Sequence, residues 1–154
     1  MLVVVDGRQA QSVGASLVEL ATIMRRQGCV EALNLDGGGS SAMSLLGLTM
    51  NKPSDPAGER PVANALILRG VRPIASKGAL KLRVPPRVAA GGSVRAVVND
   101  AAGNPIPNVD VLWSLNGTAW VDGGGMVHGL SAGAATIRAY ARGQIVTAKI
   151  AVTK

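Results

Sequence analysis

The sequence predicts an α+β chain: a partial mixed sheet with one helix, followed by an all-β sandwich. Three observations carry that expectation. Residues 16–28 have helical spacing with a signal at each end, and apolar runs of strand length flank them. Beyond residue 78 the texture changes to short alternating runs, separated by turn signals at roughly eight-to-twelve-residue spacing. The implied division is 1–72 for the first domain, 73–78 for a linker and 79–154 for the sandwich.

The helix is the best-marked element. In "SLVELATIMRRQG", Ser16 and Glu19 have the spacing of a capping box, in which each residue satisfies an amide of the other. Leu17, Leu20, Ala21 and Met24 recur at helical intervals, and Gly28 follows the basic Arg25 and Arg26 as a stop. Before it, residues 1–5 read as a buried strand, bounded by the polar loop "DGRQAQSVG". After it, 29–35 reads as a second strand. Strand, helix and strand in this order predict two neighbouring strands of one sheet, with both following loops on the same edge. "SAMSLLGLTMN" is either a strand pair around Gly47 or a short helix, and "PVANALILRG", residues 61–70, reads as a further strand.

The second half begins after "VRPIASKGALK", where Pro, Gly, Ser and charges replace the apolar pattern. Its strand candidates are "SVRAVVND", "VDVLWSL", "AWVD", "MVHGL", "GAATIRAYA" and "IVTAKIAVT", with turns at "AAGNPIPN", "NGT", "DGGG" and "ARGQ". Trp113, in a central strand, is the expected large core residue of a chain that has no Phe.

Composition narrows the function. With 47% hydrophobic residues but only 2% aromatics, the core is aliphatic. That scarcity argues against modules that stack bases on aromatic platforms, so no nucleic-acid partner is expected. Cys29 is the only cysteine, which excludes an internal disulfide and a paired-cysteine metal motif. No apolar run approaches the roughly 20 residues of a membrane span, and "LVVV" is too short for a signal peptide's apolar region. The net charge of +7 is uneven: seven Lys/Arg stand against six Asp/Glu up to Ala75, and nine against three from Ser76 onward. Such a basic second half is either a solvated exterior or a surface for weak, salt-sensitive association with an anionic polymer.

Chemistry concentrates in three polar clusters. "ALNLDGGGSSAM", residues 32–43, places Asp36 before Gly37, Gly38 and Gly39, then Ser40 and Ser41. Successive glycines let backbone N–H groups converge on an anion, with serine hydroxyls as extra donors. The same run also suits a tight turn, as "DGGGM" at 122–126 does between two short strands. It matches neither the Walker loop, which needs a Lys, nor the dinucleotide fingerprint, which needs a following helix. "DGR" brings Asp6 and Arg8, a carboxylate for acid or base work and a guanidinium suited to phosphate. "NKPSDPAGERPVAN" holds Asn51, Ser54, Asp55, Glu59, Arg60 and Asn64, where Arg60 is either a site residue or the partner of Glu59 or Asp55 in a surface ion pair. Cys29 reads as a small buried hydrophobe. His128 lacks a second histidine or a nearby cysteine and reads as no metal ligand, and no metal site is expected. Ser40 lacks a histidine in its own module to serve as base.

The three clusters, in "VVVDGRQAQSVGASLVELATIMRRQGCVEALNLDGGGSSAM" and "NKPSDPAGERPVANALIL", resemble the C-terminal part of the phosphodiester glycosidase domain, over residues 2–69. This is the family of the enzyme that uncovers mannose 6-phosphate on lysosomal hydrolases, an N-acetylglucosamine-1-phosphodiester α-N-acetylglucosaminidase. The resemblance implies hydrolysis of a sugar-1-phosphodiester on an α+β domain, and an extracytoplasmic or secreted protein. On it, Asp6, Arg8, Asp36, Gly37, Gly38, Gly39, Ser40, Asn51, Ser54, Asp55 and Arg60 fall on the family's motifs. Arg8 and Arg60 would neutralise the phosphate while the glycines bind its oxygens. Asp36 would be the acid or base, and Asp6 would position Arg8 or a sugar hydroxyl. Family domains are longer, so the resemblance also implies a missing N-terminal segment or a second chain. "VVNDAAGNPIPNVDVLWSL" and "VHGLSAGAATIRAYA" resemble bacterial immunoglobulin-like domains. That second resemblance supports the alternative of a non-catalytic surface module binding an anionic polysaccharide.

Overall fold

A computed structural model describes residues 1–71, 75 and 77–154 of the chain. Half of the expected linker, 73–78, lies outside the described residues, namely 73, 74 and 76. The chain divides into two compact units, one of Met1–Ser44 with Thr49–Ile67, the other of Leu45–Leu48 with Leu68–Lys154. Among the described residues there are one α-helix, a 3-10 turn at Asn108–Asp110 and eleven strands, an α+β content dominated by β structure.

Helix α1 is Leu17–Arg26, where its end signals place it. The Glu19 amide donates to the Ser16 hydroxyl at 3.3 Å, and the Ser16 amide donates back to the Glu19 carboxylate at 2.8 Å. Two otherwise orphaned helix amides are thereby satisfied, an arrangement that stabilises the helix by about 1 kcal/mol. Gly28 takes φ +86° just past the end, as a stop residue should. No residue of α1 is buried. "SAMSLLGLTMN" forms the strand pair: β1, Ser44–Leu45, and β2, Leu48–Thr49, turn through Leu46 at φ 52° and Gly47 at φ 85°. The Met50 amide closes the pair by donating to the Met43 carbonyl at 2.8 Å.

The strands expected at 1–5, 29–35 and 61–70 do not form. These segments are irregular, and the strand–helix–strand unit with its shared sheet edge is absent. The physical reason is pairing. A strand exists only where a neighbour takes its backbone donors and acceptors, and no such neighbour is present among the described residues of this unit. The apolar side chains that suggested strands are left in solvent: Val30 is 100% and Leu33 86% exposed.

The second unit builds the sheets that alternation predicted, plus two short strands at 81–89 that the pattern did not reveal. The strands are β3 (Lys81–Arg83), β4 (Arg87–Ala89), β5 (Ser93–Arg95), β6 (Val97–Asn99), β7 (Leu112–Gly117), β8 (Ala119–Val121), β9 (Met126–Gly129), β10 (Gly133–Ala141) and β11 (Gln144–Thr153). They form a four-stranded sheet in the order β4-β11-β10-β7, a three-stranded sheet β5-β9-β8 and a pair β3-β6. The "ARGQ" turn holds Arg142 and Gly143 at φ 46° and 79°, the two positive values of a tight hairpin, and sets β10 against β11 over their whole length. "NGT" joins β7 to β8 through a single bend residue, Thr118, while Asn116 and Gly117 continue β7, with Gly117 at φ 113°.

Inward residues of the four-stranded sheet, the three-stranded sheet and the β3-β6 pair meet in one cluster. Val88, Val98, Val127, Ile137 and Ile150 are among its aliphatic members, and Trp113 lies with them at 5% exposure. Trp113 fills the core as expected, though β7 is the edge strand of its sheet rather than a central one. Gly125 has φ +78°, and a Cβ there would lie 2.8 Å from Cζ2 of Trp113. The second glycine run thus serves a turn and a close approach to the indole.

Candidate functional site

The three polar clusters of the first unit are knitted together by side chains that hold backbone rather than by a sheet. The loop after Asp6 closes on itself. Arg8 sits at φ 55°, the Gln9 and Ser12 backbones pair across the turn at 3.0 and 3.2 Å, and the Ser12 hydroxyl donates to the Asp6 carbonyl at 2.5 Å. Gly7 allows the return, since a Cβ there would lie 3.1 Å from the Gly14 Cα.

From that loop two side chains reach the third cluster. The Asp6 carboxylate accepts from the Lys52 amide at 2.8 Å, and the Gln9 side-chain amide donates to the Lys52 carbonyl at 2.6 Å. The neighbouring Asn51 holds the glycine loop. Its Oδ1 accepts from the Met43 amide at 2.7 Å and its Nδ2 donates to the Ser41 carbonyl at 2.9 Å. Gly39 abuts Asp55, whose Cβ lies 3.6 Å from where a Gly39 Cβ would stand. Asp55 caps its own turn through the Ala57 amide at 3.0 Å and pairs with Arg60 Nε at 3.3 Å. Thr49 adds a hydrogen bond to the Glu59 carboxylate.

Of the residues singled out from sequence, Asp6, Gly39, Asn51, Asp55 and Arg60 are therefore joined through this network. Among the described residues, the side chains of Arg8, Asp36, Ser40 and Ser54 make no hydrogen bond or ion pair, and Asp36 and Arg8 are exposed. Gly37 and Gly38 are open, with no atom within 4 Å of an added Cβ. Gly38 takes φ +117°, and the Ser41 amide donates to its carbonyl at 3.1 Å, so the run is a turn. The partner of the Asp6 carboxylate is the Lys52 amide, not Arg8, and Arg60 pairs with Asp55. Gln9, Thr49 and the Lys52 backbone belong to the network, yet nothing in their spacing announced them. Cys29 is half-buried rather than sealed in a core.

Among the described residues, no group of three or more His, Cys, Asp or Glu is placed to hold a metal ion. No helix among them is long and apolar enough to cross a membrane. The first unit thus presents an exposed carboxylate at Asp36, an exposed guanidinium at Arg8 and a glycine turn held by Asn51.

Comparison with known proteins bears on this same segment. The family described as NAGPA, phosphodiester glycosidase, matches residues 1–69. Over 68 residues the chain is 35% identical to the SPbeta prophage-derived uncharacterized protein YomE of Bacillus subtilis (strain 168). That match covers 44% of this chain and 10% of YomE, so the chain spans about a tenth of that relative's length. A solved structure titled ZirS C-terminal Domain aligns with 82% of this chain and 98% of its own at 13% identity, with a TM-score of 0.26, too low to carry an argument.

Proposed function

We propose that residues 1–69 belong to a phosphodiester glycosidase site, acting as a hydrolase on a sugar-1-phosphodiester. The observation that supports it is the convergence of the three clusters: Asp6 on Lys52, Asn51 on the Ser41–Met43 loop, Gly39 against Asp55, all within the segment similar to that family. The backbone amides of the glycine turn and the exposed Arg8 guanidinium would receive phosphate oxygens, donors of the type that stabilise developing charge. Asp36 stands free as the acid or base. A phosphodiester is already a good leaving group, so stabilising the oxocarbenium-like sugar matters more here than protonating the departing oxygen.

In this reading the second unit is an immunoglobulin-like module carried on an extracytoplasmic protein. The test is release of reducing sugar from N-acetylglucosamine-1-phosphate methyl ester by the full chain, with Asp36→Asn alongside. Release that the substitution abolishes supports the assignment. Release that persists in Asp36→Asn removes Asp36 from it, and a chain that releases no sugar overturns the catalytic reading of this segment.

A further inference from the structure

The second unit carries a face of its own that neither the three clusters nor the family match involves. Along residues 93–99 the chain alternates: Val94, Ala96 and Val98 point into the core, while Ser93, Arg95, Val97 and Asn99 point outward. Because this segment supplies both β5 and β6, its outward side runs without a break from one small sheet to the other. Across β5-β9-β8, Ser93 pairs with His128 and His128 with Trp120. The three side chains form a row. The Ser93 hydroxyl lies 2.8 Å from His128 Nδ1, and the indole of Trp120 stacks on the imidazole at a centroid distance of 4.1 Å and an angle of 15°.

Asp122 supports the row from one turn away. One of its oxygens accepts from the Gly124 and Met126 amides at 2.9 and 2.8 Å, and the other faces His128 Nε2 at 3.7 Å. Its charge is thereby occupied within the turn. Held from beneath, Trp120 stays 42% exposed, a large flat ring fixed on a sheet surface.

One step along the strand from Ser93 the same face opens into a shallow groove of about 550 Å³. Val84, Pro85, Val97 and Pro105 give it an apolar floor, Arg83 and Arg95 stand in its walls, and no carboxylate lines it among the described residues. An apolar floor with a few placed charged groups is the pattern of a site that takes a ligand with apolar faces and polar edges.

We propose that this face binds an acidic polysaccharide, with sugar rings lying along the groove floor and on Trp120, and their carboxylates held by Arg83 and Arg95. The planar guanidinium fork matches a carboxylate in bidentate fashion. Pyranose rings present C–H faces to the aliphatic floor and the indole. Single-stranded nucleic acid shares the negative charge but is bound on successive aromatic platforms, and this face offers Trp120 alone. The net positive balance of the second half, nine basic against three acidic residues, favours an anionic partner of this kind. The proposal does not depend on whether the first unit cleaves anything.

The test is fluorescence titration of the full chain with polygalacturonate oligomers, which reads Trp120 because Trp113 is buried. Binding is expected to perturb the exposed emission and to weaken with added salt. Arg83→Gln with Arg95→Gln should raise Kd at least about tenfold, the loss expected for two charged contacts. Arg138→Gln with Lys149→Gln, which removes the same charge from exposed positions on the other sheet, should leave Kd within about twofold. Trp120→Ala should weaken binding and remove the signal, with affinity then followed by calorimetry. Equal weakening by both charge pairs, binding of neutral dextran as tight as that of polygalacturonate, tighter binding of inorganic polyphosphate or oligodeoxythymidylate, or no binding at all would each overturn the assignment.

Discussion

The Asp6 carboxylate accepts a hydrogen bond from the Lys52 amide at 2.8 Å, tying together two residues 46 apart in sequence. With Gln9 on the Lys52 carbonyl, both backbone groups of one peptide segment are held by the first polar loop. Replacing Asp6 by Ala should unpin that loop at a cost of about 1–2 kcal/mol, the usual range for a hydrogen bond to a charged group that is only partly buried. Hydrogen exchange at Lys52 measures it, with protection expected to fall in the variant while β10 and β11 keep theirs.

Asp36 predicts the opposite. Its side chain is exposed and makes no hydrogen bond among the described residues, so Asp36→Asn should change stability by less than about 0.5 kcal/mol. Any loss of sugar release in this variant then reports chemistry rather than folding. A thermal melt of both proteins separates the two.

Gly125 is where the second glycine run meets the core. Ala there adds a methyl 2.8 Å from the Trp113 ring and forces an L-residue to φ +78°. Overpacking and the left-handed backbone together should cost about 2–4 kcal/mol. Urea unfolding gives the number, and Gly123→Ala, a position with no atom within 4 Å, serves as the mild comparison.

Three carboxylates are held below their ordinary values. Glu19 is lowered chiefly by the Ser16 amide and hydroxyl, Asp100 chiefly by the Asn104 amide, and Asp122 chiefly by the Met126 amide. Each is lower in the folded than in the unfolded chain, so each contributes stability above its ordinary pKa, 4.5 for Glu19 and 3.8 for the aspartates. That contribution is lost as pH falls through the folded value. Stability should therefore decline with acidification from about the ordinary carboxylate range downward. Ser16→Ala should remove the Glu19 part of the slope, and denaturant midpoints across acid pH would show it.

How much of this was legible depends on where the information lies. The helix was readable because its determinants are local: Ser16, Glu19 and Gly28 sit within one short stretch and each acts on its own backbone. β10 and β11 were readable for a similar reason, since Ile137, Ala139, Ile150 and Val152 alternate over long runs with a two-residue turn between them. Residues 29–35 misled because apolar composition states a wish for burial without supplying a partner, and Val30 and Leu33 found none. β3 and β4 were missed because three-residue strands carry too little alternation to register. The network at Asp6, Asn51 and Lys52 was half visible: the residue types were right, but their use as clamps on distant backbone is tertiary. The row of Ser93, His128 and Trp120 had a signal that went unread, namely three outward positions of paired strands falling in register.

The exposure of Val30, Leu33 and their neighbours has a calorimetric consequence. The heat-capacity step on melting scales with apolar surface newly wetted, and in the first unit much of that surface is wet already. Its loss of structure should pass with scarcely any shift of baseline, and a scanning trace would record the second unit almost alone.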